Sequence, residues 1–285
     1  MNEFIEKVSV VIVLYKVRYQ DAISFQSILA ANRGEELLNI FLYDNSPKPQ
    51  NIINVKGLDI IYHHDPDNSG VSKAYNTGAD WARQLKKSWM LILDQDTALP
   101  INIFEAYKNS LQEFPNVKMI APLLRLDDGR IFSPFKYSFK RGFHLKSITP
   151  GEYSLFKIAP VNSGMFLNLD SFFASGGYNN AVKLDFSDFQ FIERFRKVRS
   201  TFCLMNLECI QDFSDNEASF SSQLNRFKFY CEGALNISKE GIMDWLQYVA
   251  IVFIRAVNLA WRYKKMAFIF IYFNYFIANI FLKNN

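Results

Sequence analysis

Two spacings of apolar residues alternate along the first half of this chain. Val8-Ser-Val-Val-Ile-Val-Leu-Tyr15 is a β-branched run of strand length, apolar enough for burial on both faces. Across residues 20–38, Ala22, Ile23, Phe25, Ile28, Leu29, Leu37 and Leu38 fall at roughly helical spacing. Leu38 to Tyr43 reads as a second strand, stopped by Asp44-Asn45-Ser46-Pro47, and Leu58 to Tyr62 as a third, followed by a polar stretch from His63 to Gly70. A helix over 71–86 then leads into a strand over 89–93. Strand, helix, strand, strand, helix, strand within about ninety residues predicts an α/β fold with an open, mainly parallel sheet flanked by helices. Val117 to Ala121 and Ala159 to Asn168 continue the strand pattern, residues 129–137 suggest a loop with a hairpin, and residues 188–199 read as a helix opened by a carboxylate.

From about residue 240 the character changes. Trp245 to Trp261 is largely apolar but broken by Arg255, Arg262-Tyr-Lys-Lys265 is basic, and Met266 to Leu282 carries no formal charge. As one straight helix, the 17 residues of that last stretch reach ~25 Å, short of a ~30 Å hydrocarbon core. The expectation is a helical, aromatic-rich appendage lying on a membrane surface, with Lys264 and Lys265 at the headgroups. Packing as a helical subdomain or against a second copy in a homodimer is the competing reading.

At 285 residues, 49% hydrophobic and 21% charged, the chain supports a sizeable core and excludes wholesale disorder. A net charge of +4, with no nucleic-acid-binding motif or long basic run, argues against nucleic acid. Three cysteines without a CxxC pair fit free thiols in a reducing compartment. The N-terminus lacks the apolar core of a signal peptide, so a cytoplasmic location is expected.

The chemistry concentrates at strand ends. Trp89-Met-Leu-Ile-Leu-Asp94-Gln95-Asp96-Thr97 runs a buried-type strand into two carboxylates. Such a pair is costly to desolvate unless a cation or hydrogen-bonding ligand offsets it, and a hard cation shared with a diphosphate is a natural reason to place it there. Tyr43-Asp44-Asn45-Ser46 ends another strand with a carboxylate able to accept the ring N–H of a pyrimidine. Asn68-Ser-Gly70-Val-Ser-Lys73-Ala-Tyr-Asn76-Thr-Gly78 opens a helix with small residues, and such a helix start favours phosphate. Singly, each of these also reads as a turn or a helix cap.

Together, over residues 8–200, these pieces resemble the inverting family 2 glycosyltransferases with their GT-A-type, Rossmann-like fold. Leu93-Asp94-Gln95-Asp96-Thr97 is similar to the metal-binding motif of the bacterial rhamnosyltransferase branch. The resemblance implies that Tyr15 and Asp44 contact the nucleobase, and that Asn68, Lys73 and Asn76 lie near the donor's ribose and phosphates. Asp94 would contact the ribose or a metal-bound water, and Asp96 would ligate Mg²⁺ or Mn²⁺ on the diphosphate. Asp188-Phe-Gln-Phe-Ile-Glu-Arg194 is similar to the family's base-bearing segment, making Asp188 the expected general base and Asp185 its competitor. Asn162-Ser163-Gly164 and Gly176-Gly177-Tyr178 resemble loops on the acceptor side. Ser187 and Gln190 depart from acids common in the family, and no histidine stands where a further metal ligand often lies; Gln211-Asp212 falls near that place.

The expected division is a catalytic, nucleotide-sugar-binding unit over 1–205 and a helical region over 206–285. The expected activity is transfer of a sugar, rhamnose from dTDP-rhamnose first and a UDP-sugar second, onto a lipid-linked or growing bacterial surface glycan. The protein would work at the inner face of the cytoplasmic membrane. A sugar nucleotidyltransferase and a non-catalytic nucleotide-sugar-binding scaffold remain as alternatives.

Overall fold

A computed structural model describes residues 1–32, 36–212 and 219–283. The chain begins α1 (Asn2–Glu6), β1 (Val8–Leu14), α2 (Ile23–Asn32), β2 (Leu38–Asp44), β3 (Leu58–His64), α3 (Val71–Gln84), β4 (Trp89–Asp94) and β5 (Thr97–Ala98). It continues through α4 (Ile103–Glu113), β6 (Met119–Arg125), β7 (Ile131–Ser133), β8 (Phe135–Ser138), β9 (Arg141–His144), β10 (Gly151–Ser154), β11 (Ile158–Ala159) and β12 (Met165–Asn168). There follow α5 (Leu169–Ala174), α6 (Ser187–Phe195), β13 (Thr201–Gln211), α7 (Phe220–Asn236) and α8 (Ile242–Tyr263). The last run joins α9 (Ala267–Ile271), a π-helical stretch over Tyr272–Ile277 and α10 (Ala278–Lys283).

The main sheet has the order β10-β13-β6-β12-β4-β1-β2-β3, with β5 paired to β13 and β7 to β6. Strands β3, β2, β1 and β4 are mutually parallel, β12 runs antiparallel between β4 and β6, and β13 is parallel to β6. β11, β8 and β9 make a small separate antiparallel sheet. This is the mainly parallel, helix-flanked α/β arrangement that the sequence pattern implied.

The reason lies in the period-two alternation of β1. Val8, Val10, Ile12 and Leu14 face a core shared with Phe25 and Ile28 of α2 and Ile103 and Tyr107 of α4. Val11 and Val13 face the other core, with Ala74 and Ala79 of α3 and Phe191 and Phe195 of α6. Burying each such side chain contributes ~1.5–3 kcal/mol, so both faces select apolar residues and the strand reads as an unbroken run. α3 comes very close to β1: a Cβ on Gly78 would stand 2.5 Å from Val11 Cγ2.

Several expectations shift. The helix expected over 20–38 is a 3-10 turn at Tyr19–Asp21 followed by α2, and residues 33–35 of that expected helix lie outside the described residues. His63 and His64, expected in a loop, end β3; His63 sits against Tyr43 at 4.8 Å between ring centroids, and His64 Nε2 lies 2.8 Å from the Ser46 carbonyl oxygen. The division expected after residue 205 cuts through β13, which stays in the main sheet to Gln211. The described C-terminal helices begin at Phe220.

Those helices build a third core around Phe227, Tyr230, Tyr248, Val252 and Phe268, and it takes in Val182 and Phe186 from the segment before α6. Phe186 has φ 71°, a left-handed conformation that costs a non-glycine residue ~1–2 kcal/mol. Its ring lies 4.4 Å from that of Tyr230 and 5.7 Å from that of Tyr248. α7 also crosses so near that a Cβ on Gly233 would be 2.9 Å from the Asp185 carbonyl oxygen. The appendage therefore fixes the turn that starts α6.

Gly78→Ala is expected to lower stability by ~1–3 kcal/mol in denaturant unfolding, the usual scale for overpacking, and Val11→Ala in the same chain to restore part of that loss. Equal losses whether or not Val11 is shortened would refute the close contact of α3 with β1.

Candidate active site

In the parallel half of the sheet the carboxyl ends of β1, β2 and β4 lie side by side, Val13 pairing with Tyr43 and Asp94 and Leu14 with Asp44. Ligand-binding groups gather at this edge of open α/β sheets. Gln95, between the two acids of β4's end, turns toward β1: Tyr15 N–H donates to its Oε1 at 2.8 Å, and its Nε2 donates to the Tyr15 carbonyl at 3.3 Å. Tyr15 itself is exposed beside the crevice.

Asp94 and Asp96 are joined by a hydrogen-bond relay with one consistent direction. Asp94 N–H donates to Ser163 Oγ (3.0 Å), and Ser163 Oγ lies 2.6 Å from Thr97 Oγ1. Thr97 Oγ1 donates to Gln211 Oε1 (2.6 Å), and Gln211 Nε2 donates to Asp96 Oδ1 (2.5 Å). Since the Thr97 proton goes to Gln211, Ser163 must be the donor to Thr97. Asp94 Oδ1 also accepts from Tyr75 OH at 2.7 Å.

Asp188 reaches the same crevice from the first turn of α6. Its negative charge raises the carboxyl of Asp94, after burial, which is the larger cause. Tyr178, stacked on Phe191 at 4.2 Å, lies under the influence of both acids. Burial, then the Asp94 charge and that of Asp212, push Asp96 up to about 6 against the hydrogen bond from Gln211. Burial and the nearby Asp185 charge push Asp188 up to about 6, opposed by the Phe189 N–H bonded to its Oδ1 at 2.8 Å. Among the described residues no lysine or arginine forms an ion pair with Asp94, Asp96 or Asp188. A carboxylate titrating near neutrality and free of a cationic partner is suited to take a proton.

The other expected residues divide. Asp185 points away from this crevice: burial raises its carboxyl, against the charges of Arg226 and Arg255, and its Oδ2 is buried with no hydrogen-bond partner. Asp44 is wholly buried and builds a loop, its carboxylate accepting from Ser46 N–H (2.9 Å), Gln50 Nε2 (2.8 Å) and Tyr62 OH (2.9 Å). In this arrangement it presents no edge to a base. Asn76 brackets the segment before α6, with Oδ1 accepting from Tyr178 N–H (2.9 Å) and Nδ2 donating to the Tyr178 carbonyl (2.9 Å) and Asn180 Oδ1 (2.7 Å). Asn68, with φ 48°, and Lys73, whose Nζ donates to Ser69 Oγ at 3.2 Å, stay on the accessible side of α3's start.

The first turn of α3 is itself partly covered, because Val71 N–H donates to the Lys183 carbonyl at 2.8 Å and Ser72 Oγ to that of Val182 at 2.5 Å. Gly70, at φ 94°, is needed there, since a Cβ would overlap the Lys183 carbonyl oxygen. On the opposite side, Asn162 Oδ1 accepts from Tyr178 OH (2.8 Å) and its Nδ2 donates to Ser187 Oγ (3.3 Å). Gly164 is tied by its backbone to Ile92 and Tyr107, and the Gly177 carbonyl accepts from Arg194 at 3.1 Å. Ser163 belongs to the relay, so both segments expected on the acceptor side brace the acid crevice.

Asp65 was not singled out in the sequence, and Tyr75, Gln95 and Thr97 stood inside its motifs without a role of their own. Burial raises Asp65, but bonds from Tyr43 OH (2.6 Å) and Ser69 N–H (3.1 Å), with Lys73 nearby, hold it at about 2. Gln95 and Asp96 lie in the turn that follows β4, where strand alternation no longer fixes side-chain direction, so the sequence carried no signal for the Gln95 role.

Among the described residues no three His, Cys, Asp or Glu side chains form a metal-holding cluster. Asp94 and Asp96, mutually repelling and without cationic partners, fit a dication shared with a diphosphate, since Mg²⁺ usually takes one or two carboxylates together with substrate phosphates. They do not make an all-protein cage.

The fold is shared with S. aureus TarS. A structure of its residues 1–349 with UDP-GlcNAc has a TM-score of 0.53 at 11% identity, covering 90% of this chain and 73% of that one. The same fragment with UDP gives 0.49 at 12% identity, covering 85% and 68%. The longer TarS structure gives 0.46 at 13% identity, covering 89% of this chain and 43% of that one. No family model matches the sequence, and no curated protein matches it. At such identity the likeness to TarS establishes the fold, and the GT-A-type expectation stands.

Because the folded pKa of Asp188 lies above its ordinary 3.8, its contribution to stability is full below about pH 4 and lost as pH rises through about 6. Asp188→Asn, neutral throughout, is therefore expected to be more stable than wild type at pH 8 by on the order of 1–2 kcal/mol and equal to it at pH 4. Thermal unfolding at both pH values checks this, and an Asn variant no more stable at pH 8 would mean that the carboxylate is not desolvated.

Proposed function

We propose that this chain is an inverting glycosyltransferase that moves a sugar from a nucleoside diphosphate to an acceptor hydroxyl. The observation that supports the reading is the meeting of Asp94, Asp96 and Asp188, without cationic partners, at the strand ends of a GT-A-type sheet. Asp188 accepts the proton as the acceptor oxygen bonds to the anomeric carbon. The bond from that carbon to the diphosphate oxygen breaks in the same displacement, which inverts configuration. Tyr15, Asn68 and Lys73 hold the donor on its nucleoside and phosphate side. Mg²⁺ or Mn²⁺, held by Asp96 with Asp94, would neutralise charge on the departing diphosphate.

Rhamnose from dTDP-rhamnose is the first donor candidate, because of the Leu93-Asp94-Gln95-Asp96-Thr97 motif. A UDP-sugar is the second, in keeping with the fold shared with a UDP-GlcNAc complex. The acceptor class is a lipid-linked or growing bacterial surface glycan. Ser187 and Gln190, where the family commonly has acids, keep a non-catalytic donor-binding scaffold as the rival.

The C-terminal helices suit a position at the inner face of the cytoplasmic membrane. α8 is long and apolar enough to cross a membrane by length and composition. Its partial burial against the protein and the arginine within it favour lying along the surface instead. Met243, Leu246, Phe253 and especially Trp261, 84% exposed, form its outward apolar side, Phe270 of α9 is exposed beyond it, and Lys264 and Lys265 stand at the exposed α8–α9 turn.

With dTDP-rhamnose and UDP-sugars screened in Mg²⁺ or Mn²⁺, one donor is expected to raise the melting temperature and to be turned over. Its kcat/KM should climb through about pH 6 as Asp188 ionises. Asp188→Asn should reduce turnover by about a hundredfold or more while Asp185→Asn retains it. Donor binding without turnover under every condition would establish the scaffold instead.

In flotation with vesicles containing anionic lipid, the full chain is expected to rise with the lipid, and Phe253→Ser with Trp261→Ser and Phe270→Ser to stay behind. Wild-type protein that stays at the bottom of the gradient while eluting as a dimer would assign the apolar side to a second copy.

A further inference from the structure

A cavity of about 440 Å³ lies between α7, α8 and the β9 hairpin, apart from the acid crevice. Four arginines line it, Arg141, Arg226, Arg255 and Arg262, and the single carboxylate among its lining residues is that of Asp185. α8 directs Arg255, Asn258 and Arg262 to it, at the three- and four-residue spacing of one helix face. Arg255, which breaks the largely apolar run from Trp245 to Trp261, is half-buried, lies 4.5 Å from the Tyr230 ring centroid and has its Nε buried without a hydrogen-bond partner. Among the described residues Arg141, Arg255 and Arg262 form no ion pair.

An excess of guanidinium charge in a partly dry cavity is unfavourable unless an anion completes it. Planar guanidinium forks match phosphate oxygens in pairs, so a phosphate is the chemistry they fit best. The cavity also has a fixed relation to the proposed base. Asp185 lines it, Phe186 is wedged between Tyr230 and Tyr248, and α6 starts at the next residue with Asp188 facing the crevice.

We propose that this cavity binds the phosphate or diphosphate group of the acceptor, an inference that rests on the glycosyltransferase reading for the word acceptor but not for the anion site. The anion neutralises Arg255 and Arg262 and, through the Asp185–Asp188 turn, sets where the acceptor's sugar lies relative to Asp188. The phosphate belongs either to a lipid carrier lying along the apolar side of α8 or to a soluble glycan phosphate.

Calorimetric titration of the full chain with inorganic pyrophosphate, in the absence of divalent metal, tests the site. Binding is expected in wild type and unchanged in Asp96→Asn, and weaker by about tenfold or more in Arg255→Gln with Arg262→Gln. Because that pair includes a half-buried arginine, Arg141→Gln with Arg262→Gln, both at exposed positions, provides a second reading that should also weaken binding. Undiminished binding in the folded arginine variants, or binding lost in Asp96→Asn, overturns the proposal by placing the anion elsewhere. Sedimentation with phosphatidylcholine vesicles, with and without phosphatidic acid, separates the sources. Arginine-dependent capture by phosphatidic acid assigns a lipid-borne phosphate, and pyrophosphate binding without such capture a soluble one. Donor hydrolysis, which requires no acceptor, is followed in parallel. Hydrolysis that persists without pyrophosphate binding removes only the anion site, and its loss with binding intact removes only the glycosyltransferase reading.

Discussion

Repulsion among carboxylates held close together in a partly dry crevice is the constraint around which this protein is organised. Asp94, Asp96 and Asp188 converge with no ion-pairing lysine or arginine among the described residues. Burial is the first cause of the raised pKa of each, and neighbouring negative charge adds to it. Left to relax, such groups would turn to solvent or draw in a cation from the surface. They persist only because the surrounding frame is rigid enough to over-determine them.

That frame is made of ordinary backbone and side-chain hydrogen bonds. The relay from Asp94 N–H through Ser163, Thr97 and Gln211 to Asp96 joins β4, β12's approach and β13, which are distant in sequence. Gln95 ties the same turn to β1, and Asn76 and Asn162 tie α3 and the β12 approach to Tyr178. The departure at Ser187 has a structural counterpart here: its hydroxyl accepts from Asn162 and so joins the start of α6 to this brace. An acid at that position would add a fourth negative charge to a crevice that already strains to hold three.

What the sequence made legible followed from its strongest periodicities. The parallel strands β1, β2 and β4 and the carboxylates at the end of β4 could be read because each of these strands is buried between two apolar cores, so its apolar run is nearly unbroken until the strand stops. Asp188 was legible as the acid at a helix start. Asp44 and Asn76 were recognised as polar residues near strand and helix ends, but their roles depend on Gln50, Tyr62 and Tyr178, partners brought near only by the tertiary fold. Gln211 illustrates the same limit: its position was noticed, yet its service as the last member of a relay depends on β13 pairing with β5. The boundary expected after residue 205 falls inside β13, which, with two cysteines and mixed exposure, lacks the clean apolar run of β1.

The segment from Asp185 to Asp188 separates two regions of opposite electrostatic character. On one side stand the crevice acids, and on the other the four arginines of the cavity lined by α7 and α8. Phe186 holds the boundary in a left-handed conformation that is tolerated because Tyr230 and Tyr248 enclose its ring. Neither region could spread into the other without the loss of that packing, so acids and arginines a few residues apart do not collapse into mutual ion pairs. Asp185 is the telling case, since it is drawn toward Arg226 and Arg255 yet keeps one carboxylate oxygen buried and unbonded. A C-terminal region with no role beyond solubility or membrane contact would not have to grip this turn. Because the aromatic core closes on Phe186, the position of Asp188 becomes a property of the whole chain rather than of the sheet alone.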